Sequence, residues 1–178
     1  MRTRSFCLAL LTLLLASAHA QDFRELRTGA RGIVVRVSHP AQWQEAAPDD
    51  DQVLTELRGS QGPLVAILQI GLGQPREDVG SLCQPERAAT MLQQLPLDEA
   101  DARVTDVVAR RHEGRPAYEV RYERNAAPAF LRVQSLVVCT KDTRVLVSCA
   151  GFGTPKSALA QIEPVCRRVM ESLRISEE

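Results

Sequence analysis

The chain has 178 residues, 44% of them apolar, with 22 basic and 22 acidic side chains. That even balance argues against a nucleic-acid or anionic-lipid surface. The length is enough to bury a core without help from metals or many disulfides.

The first twenty residues read as a signal peptide. Arg2 and Arg4 make a positive start, Phe6 to Ala16 is an apolar run, and Ala18-His19-Ala20 is a small-residue cleavage site. The apolar run is too short for a bilayer anchor. Cys7 lies at the start of that run and no cysteine stands directly after the cleavage site, so a lipid anchor is not expected. The mature chain then begins at Gln21, loses two basic residues, and is exported to the periplasm or the medium. Among its basic residues only Lys141 and Lys156 are lysines. Codon bias explains that simply, although arginines also suit protein interfaces.

Residues 21–31 read as a flexible lead-in, and 32–176 as a single domain. Ile33, Val34, Val35 and Val37 make a strand that ends in Ser38-His39-Pro40. Trp43, the one tryptophan, covers an end of the core, as a large aromatic should. Asp49-Asp50-Asp51 lacks the spaced carboxylates, central Gly and final Glu of a calcium loop, and reads as a solvated turn. Gln52 to Arg58 is a second strand. Gly62 to Ile70 is a third, with an apolar run that suits burial on both faces. Gly71-Leu72-Gly73 lacks the third Gly of a dinucleotide loop and the Gly-Lys-Ser/Thr of a phosphate loop, so no cofactor is indicated. Residues 74–84 form a surface segment carrying Cys83, and 85–95 a short helix.

Four alternating stretches follow, starting at Ala102, Tyr118, Leu131 and Val145. Turn sequences at Glu113-Gly114-Arg115-Pro116, Asn125-Ala126-Ala127-Pro128 and Lys141-Asp142-Thr143 separate them. Links this short join antiparallel neighbours, because parallel pairing needs a long crossover. Thr154 and Pro155 open a helix whose apolar stripe is Leu159, Ile162, Val165, Cys166, Val169, Met170 and Leu173. Pro164 kinks it or marks a late start. The fold class is α+β: an antiparallel sheet flanked by helices, with the long C-terminal helix packed on the sheet.

Cys83, Cys139, Cys149 and Cys166 allow two disulfides in three arrangements. Placing Thr140 opposite Arg144 puts Cys139 against Val145 and Cys149 against Ser135. The two cysteines are then about 13 Å apart along the strands, out of bonding reach. Cys149 and Cys166 reach similar heights, which favours Cys149–Cys166 and leaves Cys83–Cys139. Free buried thiols are the alternative, and the residues leave it open. No cysteine pair is closely spaced and His39 and His112 have no ligand spacing, so zinc is not indicated.

The Pro40-x-x-Trp43 element, the Gly114-Arg115-Pro116-Ala117 turn and a closing helix with Ser172-Leu173 resemble the PsbP-like superfamily, including bacterial DcrB-like envelope proteins. The resemblance covers most of Gly32 to Ile175. It implies an antiparallel sheet with helices and no shared catalytic residues, in proteins that mostly bind other proteins.

With no nucleophile motif, the expected function is a non-catalytic binding or adaptor module with a protein partner. One version is an immunity protein that occludes a secreted toxin. A carrier of a small apolar ligand is the alternative, its pocket between sheet and helix lined by Leu64–Ile70, Trp43 and the Leu159–Leu173 stripe. A small hydrolase would need a base from His112 with Glu113, or from His39 with the Asp49–Asp51 acids.

Overall fold

The computed structural model describes residues 21–75, 79, 83–84 and 102–178. The expected signal peptide and the helix at 85–95 lie outside those residues. Among the described residues ten strands form two antiparallel sheets. The first three are β1 (Phe23–Ala30), β2 (Ile33–Pro40) and β3 (Gln44–Ala46). Next come β4 (Val53–Gln61) and β5 (Leu64–Leu72). The meander is β6 (Ala102–His112), β7 (Arg115–Ala126), β8 (Ala129–Cys139) and β9 (Arg144–Gly153). β10 (Arg174–Glu177) closes the chain. One sheet runs β1-β2-β10, the other β3-β4-β5-β9-β8-β7-β6.

Tight hairpins set the registers. Arg31 and Gly32 both have positive φ in the two-residue β1–β2 loop, and Glu113 and Gly114 do the same between β6 and β7. Both loops have the backbone twist that matches right-twisted strands. The β8–β9 connection runs from Thr140 to Thr143 and is closed on itself. Thr140 Oγ1 donates to the Thr143 carbonyl at 2.9 Å, and the Thr140 N–H donates to the same carbonyl. Cys139 therefore faces Arg144, and Cys149 faces Gln134. That register is one residue off the expected one, because the loop holds four residues rather than three. The chain forms Cys149–Cys166 and Cys83–Cys139 disulfides.

Several expectations need correction. The segment expected to be a lead-in is β1, which pairs with β2 along its whole length. The final residues are not helical. β10 pairs with the other side of β2, and the Glu178 N–H donates to the Gly32 carbonyl. The helix predicted from Thr154 divides into a 3-10 helix at Lys156–Gln161 and an α-helix, α1, at Glu163–Ser172. Pro164 falls in its first turn, where a missing N–H costs nothing. α1 is the one α-helix among the described residues, so helices do not flank the sheet there. β5 is central, between β4 and β9, but only one of its faces is fully buried.

α1 lies between the two sheets. Its Val165, Cys166, Val169 and Met170 pack with Val35 and Val37 of β2 on one side. On the other side the helix contacts β8 and β9, and the same core takes in Leu136, Val138, Val145 and Val147 of those strands and Leu64, Leu68 and Ile70 of β5. Each fully buried Leu, Val or Ile contributes about 1.5–3 kcal/mol relative to exposure. This core occupies the space between sheet and helix where an apolar ligand pocket was expected.

Candidate binding face

The large sheet has a second face, turned away from α1. The registers place residues on it in rows across the strands. One row is Ser60, Val65, Phe152, Leu131 and Arg124; the next is Arg58, Ile67, Ala150, Val133, Tyr122 and Val104. A third holds Gln69, Ser148, Ser135 and Val120, and a fourth Leu146, Val137 and Tyr118. Side chains alternate across a strand, so these residues are the partners of the buried set on the inner face.

Part of this outer face is covered. Val79 and Cys83 pack on Tyr118, Val120, Val137 and Cys139, and the Cys83–Cys139 bond ties their segment to the end of β8. The rest is open. Val65 is 48% exposed, Phe152 38% and Leu146 37%. Val65 and Phe152 are direct cross-strand partners, with Leu131 on the far side of Phe152. Contiguous apolar surface of this kind marks binding sites.

Beside the open strip lies a cleft of about 390 Å³. Its floor is Ser135, Ser148, Val137 and Leu146, with Tyr118 and Tyr122 on one side and the Asp50–Val53 turn on another. Ser135 and Ser148 hydroxyls share a hydrogen bond of 2.7 Å, which satisfies two polar groups in an otherwise apolar floor. Burial pushes both tyrosine phenols above their usual range, so they stay neutral at physiological pH. The cleft can hold an apolar or aromatic group with hydroxyl donors at hand. Among the described residues that line it, the charged side chains are Asp50 and Arg144.

A cleft of about 360 Å³ on the inner face, at the start of α1, has different chemistry. Arg132 pairs with Glu123 and Glu163, while Arg110 and Arg121 both pair with Glu119. Burial pushes the Glu119 carboxyl up, but the Arg121 and Arg110 guanidiniums outweigh it and hold the group below the usual carboxylate range. These charges mostly satisfy one another, so the cleft carries little uncompensated charge for a ligand.

The residues weighed for catalysis are dispersed. His39 is buried, its Nδ1 2.9 Å from the Pro40 carbonyl, and Arg24 Nε donates to its Nε2 at 3.3 Å. Asp49 pairs with Arg58, and Asp50 accepts from the Gln52 N–H in the turn. His112 is also buried and bonds the Leu173 carbonyl through Nε2. Glu113 accepts from the Ile175 N–H and pairs with Arg115 and Arg174. Neither histidine meets the acid proposed for it, and neither reaches the outer cleft. Pro40 and Trp43 form a turn in which the Trp43 N–H donates to the Pro40 carbonyl. Gly114 lies in the β6–β7 loop, far along the chain from them.

No family model matches the chain, and no curated protein matches it in sequence. Solved structures do match its shape. Cyanobacterial PsbP (CyanoP) from Synechocystis superposes with a TM-score of 0.64 at 11% identity, covering 90% of this chain and 96% of that one. The fold is PsbP-like. LpqN, involved in cell envelope biogenesis of Mycobacterium tuberculosis, gives 0.58 at 14% identity, covering 86% and 91%. The Saccharomyces cerevisiae Ran-binding protein Mog1p gives 0.56 at 8% identity, covering 87% and 96%. At such identities the likeness concerns the PsbP-like fold alone. The outer-face strip and cleft were not anticipated from the sequence. The alternation of Tyr118, Val120 and Tyr122 was visible, but nothing in it says which face stays open.

Proposed function

We propose that residues 32–176, together with β1, act as one exported domain that binds a partner protein without catalysing a reaction. The observation that carries this reading is the exposed cross-strand pair Val65 and Phe152, with half-buried Leu131 beyond it, and exposed Leu146 at the tyrosine-lined cleft on the same face. Two disulfides suit an oxidising compartment and support an extracytoplasmic location. Among the described residues no helix is long and apolar enough to cross a membrane. The likeness to a Ran-binding protein and to an envelope-biogenesis protein points the same way. An immunity protein that occludes a secreted toxin is one form of this function, supported by small size, export and disulfides rather than by any particular residue.

The test is an affinity capture from envelope extract, and separately from secretions of rival strains. The native protein is compared with Val65→Lys, Phe152→Lys and Leu146→Lys. A stoichiometric partner retained by the native protein and lost from the three variants is the expected result. Partners that bind all four proteins equally would move the interface elsewhere. A second reading, a small apolar ligand, is favoured by the cleft's size and by Tyr118, Tyr122, Val137 and Leu146. Native mass spectrometry after gentle purification separates the two, since this reading requires a mass above that of the protein.

A further inference from the structure

Strand β6 ends the seven-stranded sheet, and among the described residues no strand lies on its far side. A bulge at Thr105 interrupts its pairing with β7, but from Asp106 to His112 the register is regular. That stretch presents a row of backbone N–H and C=O groups to whatever lies beside it. Val108, near its middle, is 45% exposed, on the same face of the sheet as Asp106 and Arg110. The opposite face carries Val107 and Ala109.

The sequence around Val108 is self-complementary. Asp106, Val107, Val108, Ala109 and Arg110 read acid, apolar, apolar, apolar, base. A two-fold axis normal to the sheet would set two β6 strands antiparallel and keep each sheet face on the same side. Opposed residues must then share a face, which leaves three registers near the centre. One opposes Asp106 to the partner's Val108, and another opposes Val108 to the partner's Arg110. The third opposes Val108 to the partner's Val108. In this register alone Asp106 meets the partner's Arg110 and Arg110 meets the partner's Asp106. Val107 and Ala109 then meet across the other face. Opposite charges and apolar side chains directly across a strand pair are each favourable, and like charges there are not.

We infer that β6 is an edge for pairing with a second copy of this chain, joining the two large sheets into one through the Asp106–Arg110 register. The interface is isologous and narrow, so the dimer forms reversibly rather than as an obligate assembly. Arg110 also pairs with Glu119, and Asp106 lies 4.0 Å from Arg121. Both are partly exposed, and their intrachain partners lie on β7, so pairing across the edge draws on side chains already held on the adjoining strand.

The experiment is sedimentation equilibrium of the purified protein with its disulfides formed, from about micromolar to about millimolar. A reversible dimer is expected. Asp106→Arg and Arg110→Asp should each weaken it by about tenfold or more, because each places like charges across both ends of the pair. Mixing those two variants should restore association as a heterodimer, since every opposed pair is then acid against base. The double variant carrying both substitutions should self-associate again. Should Arg110→Asp unfold the protein, as circular dichroism would show, Val108→Lys replaces it: two lysines would face each other on the axis and abolish the dimer, while within the chain the lysine lies across from Glu119 as an acid–base pair. A monomer across the whole range would overturn the inference and leave the edge charges as guards against pairing. A dimer indifferent to Asp106→Arg, or a variant mixture that stays monomeric, would overturn it equally.

Discussion

Replacing Gly59 by alanine should destabilise the protein through Trp43. A Cβ added at Gly59 would lie 2.1 Å from Trp43 Cδ1 and 2.7 Å from both Cγ and Nε1. Non-bonded carbon atoms rest about 3.5–4 Å apart, so the indole would have to move by more than 1 Å. Trp43 is fully buried, and its backbone is held by the Arg24 guanidinium donating to its carbonyl and by its main-chain N–H donating to the Pro40 carbonyl, so the movement is resisted. Overpacking of this kind costs about 1–3 kcal/mol. Loss of glycine's backbone freedom in a strand returns about 0.5–1 kcal/mol. The net expectation is a loss centred on about 1 kcal/mol and at most about 2.5 kcal/mol, or up to about 10 °C in Tm for a domain of this size. Denaturant melts followed by emission of the single tryptophan measure it, and a shifted emission maximum in the native state should accompany the loss. In a Trp43→Leu background, followed by circular dichroism, the Gly59→Ala penalty should vanish or change sign. A Gly59→Ala protein of unchanged stability and emission, or an equal penalty in both backgrounds, would refute the reasoning.

Burial pushes His39 below the usual histidine range; the Pro40 carbonyl works against that and the Arg24 guanidinium adds to it. A depressed folded-state pKa means the unfolded chain binds the proton more readily. Stability is therefore full above about pH 6.5 and falls as the pH drops toward the folded-state value. Denaturant midpoints between about pH 7 and pH 5 should show that fall, and His39→Asn, which keeps a donor for Pro40, should flatten it. The two disulfides should contribute unequally. Cys149–Cys166 spans 17 positions and Cys83–Cys139 spans 56, giving about 3 and about 4 kcal/mol from restricted unfolded-state entropy. Paired alanine replacements at each bridge, followed by chemical denaturation, measure both, and equal stability with and without reductant would contradict the expectation.

Much of the fold was written locally. The meander strands announce themselves by period-two alternation, as at Tyr118, Val120 and Tyr122, and the α1 stripe by its three-and-four spacing. Pro164 was readable as a late helix start because proline costs nothing in a first turn and much further in. β1 was missed because Arg24, Glu25 and Arg27 dilute its apolar signal, although Leu26, Thr28 and Ala30 are its more buried positions and Arg31-Gly32 supplies a turn. β10 has only four residues, and pairing with β2 makes it a strand. The Thr140–Thr143 loop was read one residue short because its closing bonds, Thr140 to Thr143, involve side chains whose geometry no spacing rule predicts.

The sequence by itself determined the antiparallel meander, the amphipathic closing helix and the resemblance to the PsbP-like superfamily, since each rests on periodicity or turn chemistry within a few residues. It also held the acid-to-base pattern around Val108, which can be read without coordinates. Only the tertiary structure decided what those patterns face. Val65, Leu131 and Phe152 are up to 87 positions apart in sequence and become one row, exposed at Val65 and Phe152, because strand register brings them together. The tertiary arrangement also made β6 an edge among the described strands and buried His39 and His112 apart from the acids weighed as their partners. Alternation tells that a strand has two faces; which of them is covered depends on elements that arrive from elsewhere in the chain.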